Sequence, residues 1–435
     1  MNFEVHPSNG LHGAVRIPGD KSISHRALLI GALAEGLTTI EGLSPAADVR
    51  STRACLTTLG VDIEDTGSQT HVHGKGPHGF RKPSVPLDAG NSGTTIRLLS
   101  GILAGQRFDS TLIGDASLSR RPMKRVIEPL RMMGANISAT PQFTPPISIG
   151  SQYHLRPIEY EMPVPSAQVK SAILFAGLFA DGVTKVTESV PTRDHTEKML
   201  GLKIHSDGIR RTIEVRGGTK IRPRAFVVPG DISGAAFLVA AGAIVPNSEI
   251  VIENVGLNES RTAILDVLKS MNVSLNIRDR RIVEGEPIGD LVVRSSDIHS
   301  DIVLGRDIVP TVIDEIPILG VLALFGKGAF VVEGAEELRY KETDRIAAIV
   351  RNVRALGVAV DERPDGFAFQ AKNNVIGCEL ESFGDHRIAM AFGVAGLRAP
   401  GVVIRDANCV DISFPGFWNT LQELGINGLR LPPVA

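Results

Sequence analysis

Apolar residues recur along the chain in two kinds of helical segment. In the first kind, such as "ISHRALLIGALA" and "SGAAFLVAAGAI", apolar or small residues occupy almost every side, which is typical of a helix buried in a core. In the second kind, such as "DRIAAIVRNVRAL", apolar residues recur every three or four positions, which predicts one inward-facing side. Helices of the first kind are predicted to begin at a small polar residue: Ser24, Ser92, Ser166, Ser233, Asp314 and Asp385.

A second marker alternates with the first. Six amphipathic segments end in Leu or Met, followed by Gly or Asn and then by a short strand pattern, and Gly or Asn there favours left-handed backbone at a helix end. Both markers recur at intervals of about 70 residues, so we predict six repeats and an α/β fold, each repeat having two helices and several strands. The end markers are Gly60, Gly134, Gly201, Asn272, Gly357 and Gly425.

Two domains of three repeats each are predicted, because six buried helices exceed what one core can hold in 435 residues. The phrase Pro-Gly-Asp occurs at 18–20 and again at 229–231, each time before a buried helix. We interpret both phrases as crossings between the domains and as hinges. One domain then comprises residues 1–19 with 231–435, and the other comprises residues 20–230.

Composition narrows the class of function. A formal net charge of −2 and an aromatic content of 5% offer neither a basic surface nor stacking platforms for a nucleic acid. Three widely spaced cysteines indicate reduced thiols, and no apolar run is long enough to predict a membrane span. Sequence signatures of zinc sites, dinucleotide folds, Walker loops and nucleophile elbows are missing. The first residues show no signal-peptide pattern, so we expect a cytoplasmic protein.

The starts of the first three buried helices carry cations, hydroxyls and amides. Unpaired backbone N–H groups and the helix dipole make such a start an anion site. Taken alone, each serine there is more typical of an ordinary N-cap than of a ligand. Lys or Arg near the first turn opposes the dipole, however, and its repetition favours binding of phosphate or carboxylate. The residues concerned are Lys21, Ser22, Arg26, Asn91, Gly93, Thr94, Arg97, Ser166, Gln168 and Lys170.

The helix starts of the second half carry acidic residues instead. Asp231 and Asp385 are typical of N-caps. Asp314 is followed by Glu315, which gives one carboxylate more than a cap needs. This pair is therefore a candidate for chemistry as well as for capping.

Further charged residues stand near these acids in sequence. Lys341 and Arg345 are four positions apart, which predicts one shared helix face beside Glu342. A solvated helix start with ordinary ion pairs explains the same pattern equally well. If the polar helix ends of the two domains face each other, they form a cleft for small anionic substrates that domain motion closes. Other charged candidates are Arg120, Arg121, Arg193, His386 and Arg387.

Seven motifs, in this order, resemble the EPSP synthase family of enolpyruvyl transferases: "PGDKSISHRALL", "GNSGTTIRLL", "RRPM", "PSAQVKSA", "RDHTEKML", "KETDR" and "DHRIAM". The resemblance implies two globular domains of three βαβαββ-type repeats each, known as an inside-out α/β barrel. It implies transfer of the enolpyruvyl group of phosphoenolpyruvate to the 5-hydroxyl of shikimate 3-phosphate, a step towards chorismate. It also implies small-molecule substrates, a monomer, and neither a metal nor an organic cofactor.

Residue roles follow from the resemblance and from the chemistry of two proton transfers. We assign Asp314 to the hydroxyl end and Glu342 to carbon C3, as general base and acid, with Lys21 stabilising charge. The resemblance implies that shikimate 3-phosphate is contacted by Lys21, Ser22, Arg26, Ser166, Ala167, Gln168, Arg193, Asp314 and Lys341. It implies that phosphoenolpyruvate is held by Lys21, Gly93, Arg121, Gln168, Arg345 and Arg387.

Two other functions compete with this interpretation. A UDP-N-acetylglucosamine enolpyruvyl transferase would share fold and co-substrate, but that family carries a cysteine or aspartate in a mobile loop that this sequence does not show, and the matching region "LIGDASLSRRP" holds Asp115 and no Cys. A nucleic-acid-end enzyme or binding module built on similar repeats is disfavoured by the low aromatic content and the negative charge.

Overall fold

The computed structural model describes residues 1–208, 210–372 and 374–425, and the backbone of residues 429–430. The chain divides into two compact units: unit 1 comprises Met1–Pro18 and Pro229–Ala435, and unit 2 comprises Gly19–Val228. The chain therefore passes between the units directly after Pro18 of the first phrase and directly before Pro229 of the second. That these places act as hinges stays a prediction.

The elements up to the second crossing are short strands and helices. Unit 1 contributes β1 (Phe3–Val5) and β2 (His12–Arg16). The helices of unit 2 are α1 (Lys21–Leu33), α2 (Ala47–Thr58), α3 (Gly93–Leu103), α4 (Lys124–Met132), α5 (Ala167–Gly177) and α6 (His195–Leu200). Its strands are β3 (Glu35–Glu41), β4 (Asp62–Thr66), β5 (Gln69–Lys75), β6 (Leu87–Asp88), β7 (Ser110–Ile113), β8 (Ile137–Ser138), β9 (Ile147–Ile149), β10 (Glu159–Glu161), β11 (Val183–Glu188), β12 (Lys203–Ser206), β13 (Arg211–Arg216) and β14 (Ala225–Val227).

The rest of unit 1 follows the same plan. Its helices are α7 (Ile232–Ile244), α8 (Ala263–Ser270), α9 (Val309–Val312), α10 (Ile316–Leu324), α11 (Arg345–Ala355), α12 (His386–Gly396) and α13 (Phe417–Glu423). Its strands are β15 (Glu249–Gly256), β16 (Ser274–Val283), β17 (Glu286–Arg294), β18 (Ile302–Leu304), β19 (Ala329–Val332), β20 (Val360–Arg363), β21 (Gly366–Gln370), β22 (Glu379–Glu381), β23 (Val402–Arg405) and β24 (Leu429–Arg430). Short 3₁₀ segments span Leu118–Arg120, Glu336–Tyr340 and Ala407–Ile412.

Six four-stranded sheets, counted over the described residues, share one order of pairing. In the sheet β6-β7-β9-β8, β6 and β7 are parallel and flank α3, and the hairpin β8–β9 adds antiparallel strands. A parallel pair needs a crossover helix and an antiparallel pair only a turn, so this order is that of a βαβαββ repeat. The predicted α/β fold of six repeats is confirmed.

The first repeat of each unit takes its edge strand from a distant part of the chain within the same unit. In unit 2, β14 pairs in parallel with β3, although α1 follows directly from the other unit's β2. In unit 1, β2 pairs in parallel with β15, and α7 follows directly from β14. Each Pro-Gly-Asp phrase thus stands between an edge strand and a buried helix, at the same place in the repeat. This explains why the phrase occurs twice.

Each unit has its own core built around three buried helices. These are α1, α3 and α5 in unit 2, and α7, α10 and α12 in unit 1, and nearly all of their residues are buried. Their apolar side chains form one hydrophobic cluster per unit. Burial of each such Leu or Phe side chain stabilises the fold by about 1.5–3 kcal/mol. Within the described ranges, no helix combines the length and apolarity needed to cross a membrane.

Helix ends agree with the sequence markers better than helix starts do. All six predicted end residues have left-handed backbone, from φ 63° at Gly201 and Asn272 to 96° at Gly425. Ser92, Ser166 and Asp385 are N-caps as predicted.

Three predicted helix starts were wrong. Helix α1 begins after Asp20, whose Oδ1 accepts the N–H of Ile23 at 2.8 Å, rather than at Ser24. Helix α7 begins after Asp231, so the N-cap expected of Asp231 is confirmed and the helix start expected at Ser233 was wrong. The aspartate that closes each Pro-Gly-Asp phrase precedes the serine in the chain, so the serine lies inside a helix that has already begun. Helix α10 begins after Glu315, not at Asp314.

Helices α3 and α5 approach most closely where Gly101 faces the backbone of Ala172. A Cβ on Gly101 would collide with the carbonyl oxygen of Ala172. For Gly320, in the middle of the buried helix α10, the nearest neighbour of such a Cβ is a ring carbon of Phe330 at 3.9 Å.

We therefore predict opposite effects for two Gly→Ala substitutions. Gly101→Ala should lower the free energy of unfolding by about 1–3 kcal/mol, because the gain in helix propensity is smaller than the cost of overpacking. Gly320→Ala should leave the free energy unchanged or raise it by up to about 1 kcal/mol. Denaturant unfolding of both variants measures this, and equal effects would contradict the proposed close approach.

Candidate functional site

The first buried helix presents a lysine that is already paired. Lys21 Nζ donates to Oδ2 of Asp48 at 2.8 Å, and both side chains are largely buried. Asp48 lies in the first turn of α2, on its buried side with Val49 and Thr52. The sequence analysis missed Asp48. An acid on the apolar face of an amphipathic helix is the signal that would have found it.

Arg26 lies one turn further along α1 and is almost completely buried. Its guanidinium donates to Thr196 Oγ1 at 2.6 Å and to Ser171 Oγ at 2.8 Å, and also to the carbonyl of Ser22 at 2.9 Å. Thr196 belongs to α6 and Ser171 to α5, so this guanidinium joins three helices. Its predicted contact with substrate stays a prediction.

The starts of α3 and α5 are joined through one amide. Gln168 Oε1 accepts from Arg97 at 2.7 Å, while Gln168 Nε2 donates to Thr94 Oγ1 at 2.9 Å. Ser166 caps α5, and Ser166, Ala167 and Gln168 are all partly accessible. The structure thus brings two of the three predicted anion-binding helix starts together within unit 2.

Gly93 separates two guanidinium groups. A Cβ there would lie 2.7 Å from Nη1 of Arg97 and 3.2 Å from Nη1 of Arg121, so only glycine leaves this space open. Arg121 Nη2 donates to Asn91 Oδ1 at 2.9 Å, and Asn91 in turn donates to Asp115 at 2.7 Å. Asp115 therefore acts here as an anchor of the loop that carries Arg121.

In unit 1 the predicted acids and cations form one cluster. Asp314 Oδ1 accepts from Lys341 Nζ at 3.2 Å and from Arg345 Nη1 at 3.4 Å. The predicted shared helix face of Lys341 and Arg345 was wrong, because Lys341 follows a 3₁₀ segment and α11 begins only at Arg345. The two cations meet through a carboxylate and not along a helix.

Arg345 is the hub of this cluster and is only 1% exposed, so a solvated ion pair is excluded. Besides Asp314, it donates from Nη2 to Glu342 at 2.6 Å and from Nε to Asp385 at 2.7 Å. Burial alone would lower the pKa of Arg345, but Asp385, Glu342 and Asp314 together raise it above its ordinary value. Asp385 thus holds Arg345 in addition to capping α12.

Arg387 lies beside this hub at the start of α12. Its Nη1 donates to the carbonyl of Asp314 at 2.8 Å and lies 3.7 Å from Glu315. Glu315 also accepts from the hydroxyl of Ser233, which itself accepts from Arg261 at 2.7 Å. The second carboxylate of "VIDEIP" therefore belongs to a buried polar chain that reaches Arg387.

Two sequence predictions need a further comment. Lys170 was expected to be an anion-binding cation but is fully buried between Glu188 and Glu197, so that expectation was wrong. Arg193, in the segment before α6, is partly accessible, and its substrate contact stays a prediction. Among the described residues, no cluster of three or more His, Cys, Asp or Glu side chains is arranged to hold a metal ion.

Comparison with known proteins decides the family. The residue pattern of the EPSP synthase family (3-phosphoshikimate 1-carboxyvinyltransferase) matches residues 5–421. A 3-phosphoshikimate 1-carboxyvinyltransferase of Brevibacillus brevis is 50% identical over 428 residues, which cover 97% of this chain and 99% of that protein. This chain belongs to the EPSP synthase family.

Solved structures agree with this family membership. An EPSP synthase from Acinetobacter baumannii matches with a TM-score of 0.85 at 42% identity, over 98% of both chains. The enolpyruvyl transferase NikO from Streptomyces tendae matches with a TM-score of 0.76 over 99% of this chain and 98% of that one. At 16% identity, the second likeness shows the fold alone.

A buried histidine connects three helices in this member of the EPSP synthase family. His25 Nδ1 lies 2.7 Å from Thr52 Oγ1, which lies 2.7 Å from Thr95 Oγ1, and Thr95 donates to Ser92 at 2.7 Å. Because Thr95 uses its proton on Ser92, Thr52 must donate to Thr95, and His25 must carry its proton on Nδ1. Nε2 is then the bare nitrogen, and it has no hydrogen-bond partner among the residues described.

Burial, followed by the charges of Lys21 and Arg26, holds the pKa of His25 well below its ordinary value. The unfolded chain therefore binds a proton near pH 6.5 that the folded chain does not bind. Stability is fully present above that pH and falls as the pH decreases below it.

We predict that the titration of His25 lowers the free energy of unfolding of unit 2 by about 1.4 kcal/mol when the pH falls from 7.5 to 5.5. His25→Gln removes this titration, so the difference in unfolding free energy between parent and variant should shift by that amount. Denaturant unfolding at both pH values measures it. His205→Gln, at a position 64% exposed in the same unit, is the control and should produce no such shift.

Proposed function

We propose that this chain transfers the enolpyruvyl group of phosphoenolpyruvate to the 5-hydroxyl of shikimate 3-phosphate, giving 5-enolpyruvylshikimate 3-phosphate and phosphate. Membership of the EPSP synthase family and the shared name of its 50% identical relative support this activity. Transfer to UDP-N-acetylglucosamine is not favoured. We expect the enzyme to act as a cytoplasmic monomer on these small molecules.

The charges of both units suit two anionic substrates. Each substrate carries one carboxylate and one phosphate, and the phosphate has a charge of about −1.5 to −2 at neutral pH. We assign shikimate 3-phosphate to Lys21, Ser22, Arg26, Ser166, Ala167, Gln168, Arg193, Asp314 and Lys341. We assign phosphoenolpyruvate to Lys21, Gly93, Arg121, Gln168, Arg345 and Arg387.

The observation that carries the mechanism is one guanidinium shared by two carboxylates. Arg345 donates from Nη1 to Asp314 and from Nη2 to Glu342. These acids come from separate segments, yet this bridge holds them on neighbouring edges of one planar group. A pair of carboxylates so placed can exchange protons with two ends of one reacting complex.

The reaction then proceeds by addition and elimination. Asp314, as the carboxylate, accepts the proton of the 5-hydroxyl as the hydroxyl oxygen bonds to C2 of phosphoenolpyruvate, while Glu342, as the carboxylic acid, donates a proton to C3. In the second step Glu342 removes a proton from C3, the bond from C2 to the phosphate oxygen breaks, and phosphate leaves with the proton that Asp314 gives up. Lys21 stabilises the charge that develops on the phosphate.

Binding of phosphoenolpyruvate must rearrange the hub. Arg345 is buried and already bonded to three carboxylates. A substrate carboxylate that approaches its Nη atoms competes with these partners, and Glu342 and Asp314 are the more accessible ones. Substrate binding thereby releases a catalytic carboxylate from its ion pair.

Phosphate release from phosphoenolpyruvate tests the function. We expect release with shikimate 3-phosphate and none with UDP-N-acetylglucosamine or without acceptor. Release only with the sugar nucleotide would reverse the substrate assignment. No release with either acceptor would refute enolpyruvyl transfer.

Asp314→Asn tests the general base. The amide keeps the size of the side chain but cannot accept the hydroxyl proton, so kcat should fall by about 10²–10⁴-fold at saturating substrate. Asp361→Asn, which alters an exposed ion pair with Arg363 in the same unit, is the matched control and should retain parental turnover. Near-normal turnover by Asp314→Asn would show that another group is the base.

A further inference from the structure

Lys170 is a buried cation that the proposed mechanism does not use. It lies one turn after Ser166 on α5, with a side chain that is 0% exposed. Its Nζ lies 3.0 Å from Glu188 and 2.6 Å from Glu197, and both carboxylates are buried. A buried ion pair is weak evidence for stability, because apolar residues of similar volume often serve as well. The cluster therefore calls for another explanation.

The two carboxylates flank the segment that carries Arg193. Glu188 ends β11, and Glu197 lies in the first turn of α6. Between them, Thr192 is held by all its polar groups. Its N–H and hydroxyl donate to Glu188 Oε2 at 3.2 and 2.8 Å, and its carbonyl accepts from Lys170 at 3.5 Å. The backbone just before Arg193 is thus set by this cluster.

Charge balance argues against a direct role of Lys170 in anion binding. One ammonium faces two carboxylates, and Arg211, 3.8 Å from Glu188 and 3.7 Å from Asp194, adds a second cation. These charges nearly cancel inside the fold. A phosphate would gain little electrostatic stabilisation from Lys170 itself. The cluster instead fixes the backbone from which the Arg193 side chain extends.

We propose that Lys170, with Glu188 and Glu197, is a positioning residue for shikimate 3-phosphate that acts through Arg193. Through α5 it connects the helix start of Ser166 and Gln168 to the Arg193 segment, so both sides of that substrate's site keep a constant spacing. The proposal rests on the proposed function. In this proposal the binding of shikimate 3-phosphate depends on the cluster, and the binding of phosphoenolpyruvate does not.

Thr192→Val tests the proposal without unfolding the unit, because Lys170 stays paired with both carboxylates. The variant loses the hydroxyl bond to Glu188, and we expect the KM for shikimate 3-phosphate to rise about tenfold. The KM for phosphoenolpyruvate and kcat should change by less than about twofold. Glu188→Gln, which keeps the size of the side chain, should give the same pattern. Lys185 lies on β11, the strand that ends at Glu188, and forms an exposed ion pair with Glu159 of β10. Lys185→Met is therefore the control and should behave as the parent.

A double-mutant cycle separates positioning from a purely structural role. In an Arg193→Ala background, Thr192→Val should add less than about twofold to the KM for shikimate 3-phosphate, because its effect passes through the missing guanidinium. A full tenfold effect in that background would overturn the inference, as would equal increases in both KM values. If Arg193→Ala itself leaves that KM unchanged, the inference fails while the activity stands. If the parent releases no phosphate with shikimate 3-phosphate, the proposed function fails with it.

Discussion

Six helices of this chain are buried on nearly every side, and this constraint determines where polar chemistry can be placed. A helix with no solvated face can carry charged groups only near its ends, where the backbone N–H groups are also left without helical partners. In each unit three such helices share a core, so polar residues gather at their starts. The contacts of Gln168 between α3 and α5, and of Arg387 with Asp314, are products of this arrangement.

The cations at the starts of the buried helix α1 and of the amphipathic helix α11 are paired within the protein itself. Lys21 is paired with Asp48, and Arg345 with three carboxylates, so the cationic sites do not face water as isolated charges. Buried charges are tolerated only with such partners. An anionic substrate must then compete with internal carboxylates, which ties binding to the release of acid groups. The same carboxylates that pair with buried cations in the fold can thus act as acid and base in the reaction.

Sequence periodicity predicted the six repeats because left-handed residues such as Gly201 and Asn272 have local causes. It failed where the outcome depends on distant contacts. Ser24 and Ser233 were expected to start helices, but the aspartates of Pro-Gly-Asp cap first. Lys170 was taken for an anion ligand, because its partners Glu188 and Glu197 lie on other elements. The motifs led to the cluster of Asp314, Lys341, Glu342, Arg345 and Arg387, but no spacing rule could reveal that Arg345 is its centre.

The pairing of strands β1 and β2 with late parts of the chain has a consequence for the order of synthesis. Unit 2 is one continuous stretch, so all its strands exist once residue 228 has been made. Strands β1 and β2 are made first, yet they pair with β23 and β15, which come hundreds of residues later. Such long-range pairing is slow, and an unpaired strand invites aggregation. Strands β1 and β2 are only three and five residues long, and β2 has His12 and Arg16 at its ends. Before their partners are made, they therefore offer few unpaired backbone groups to another chain.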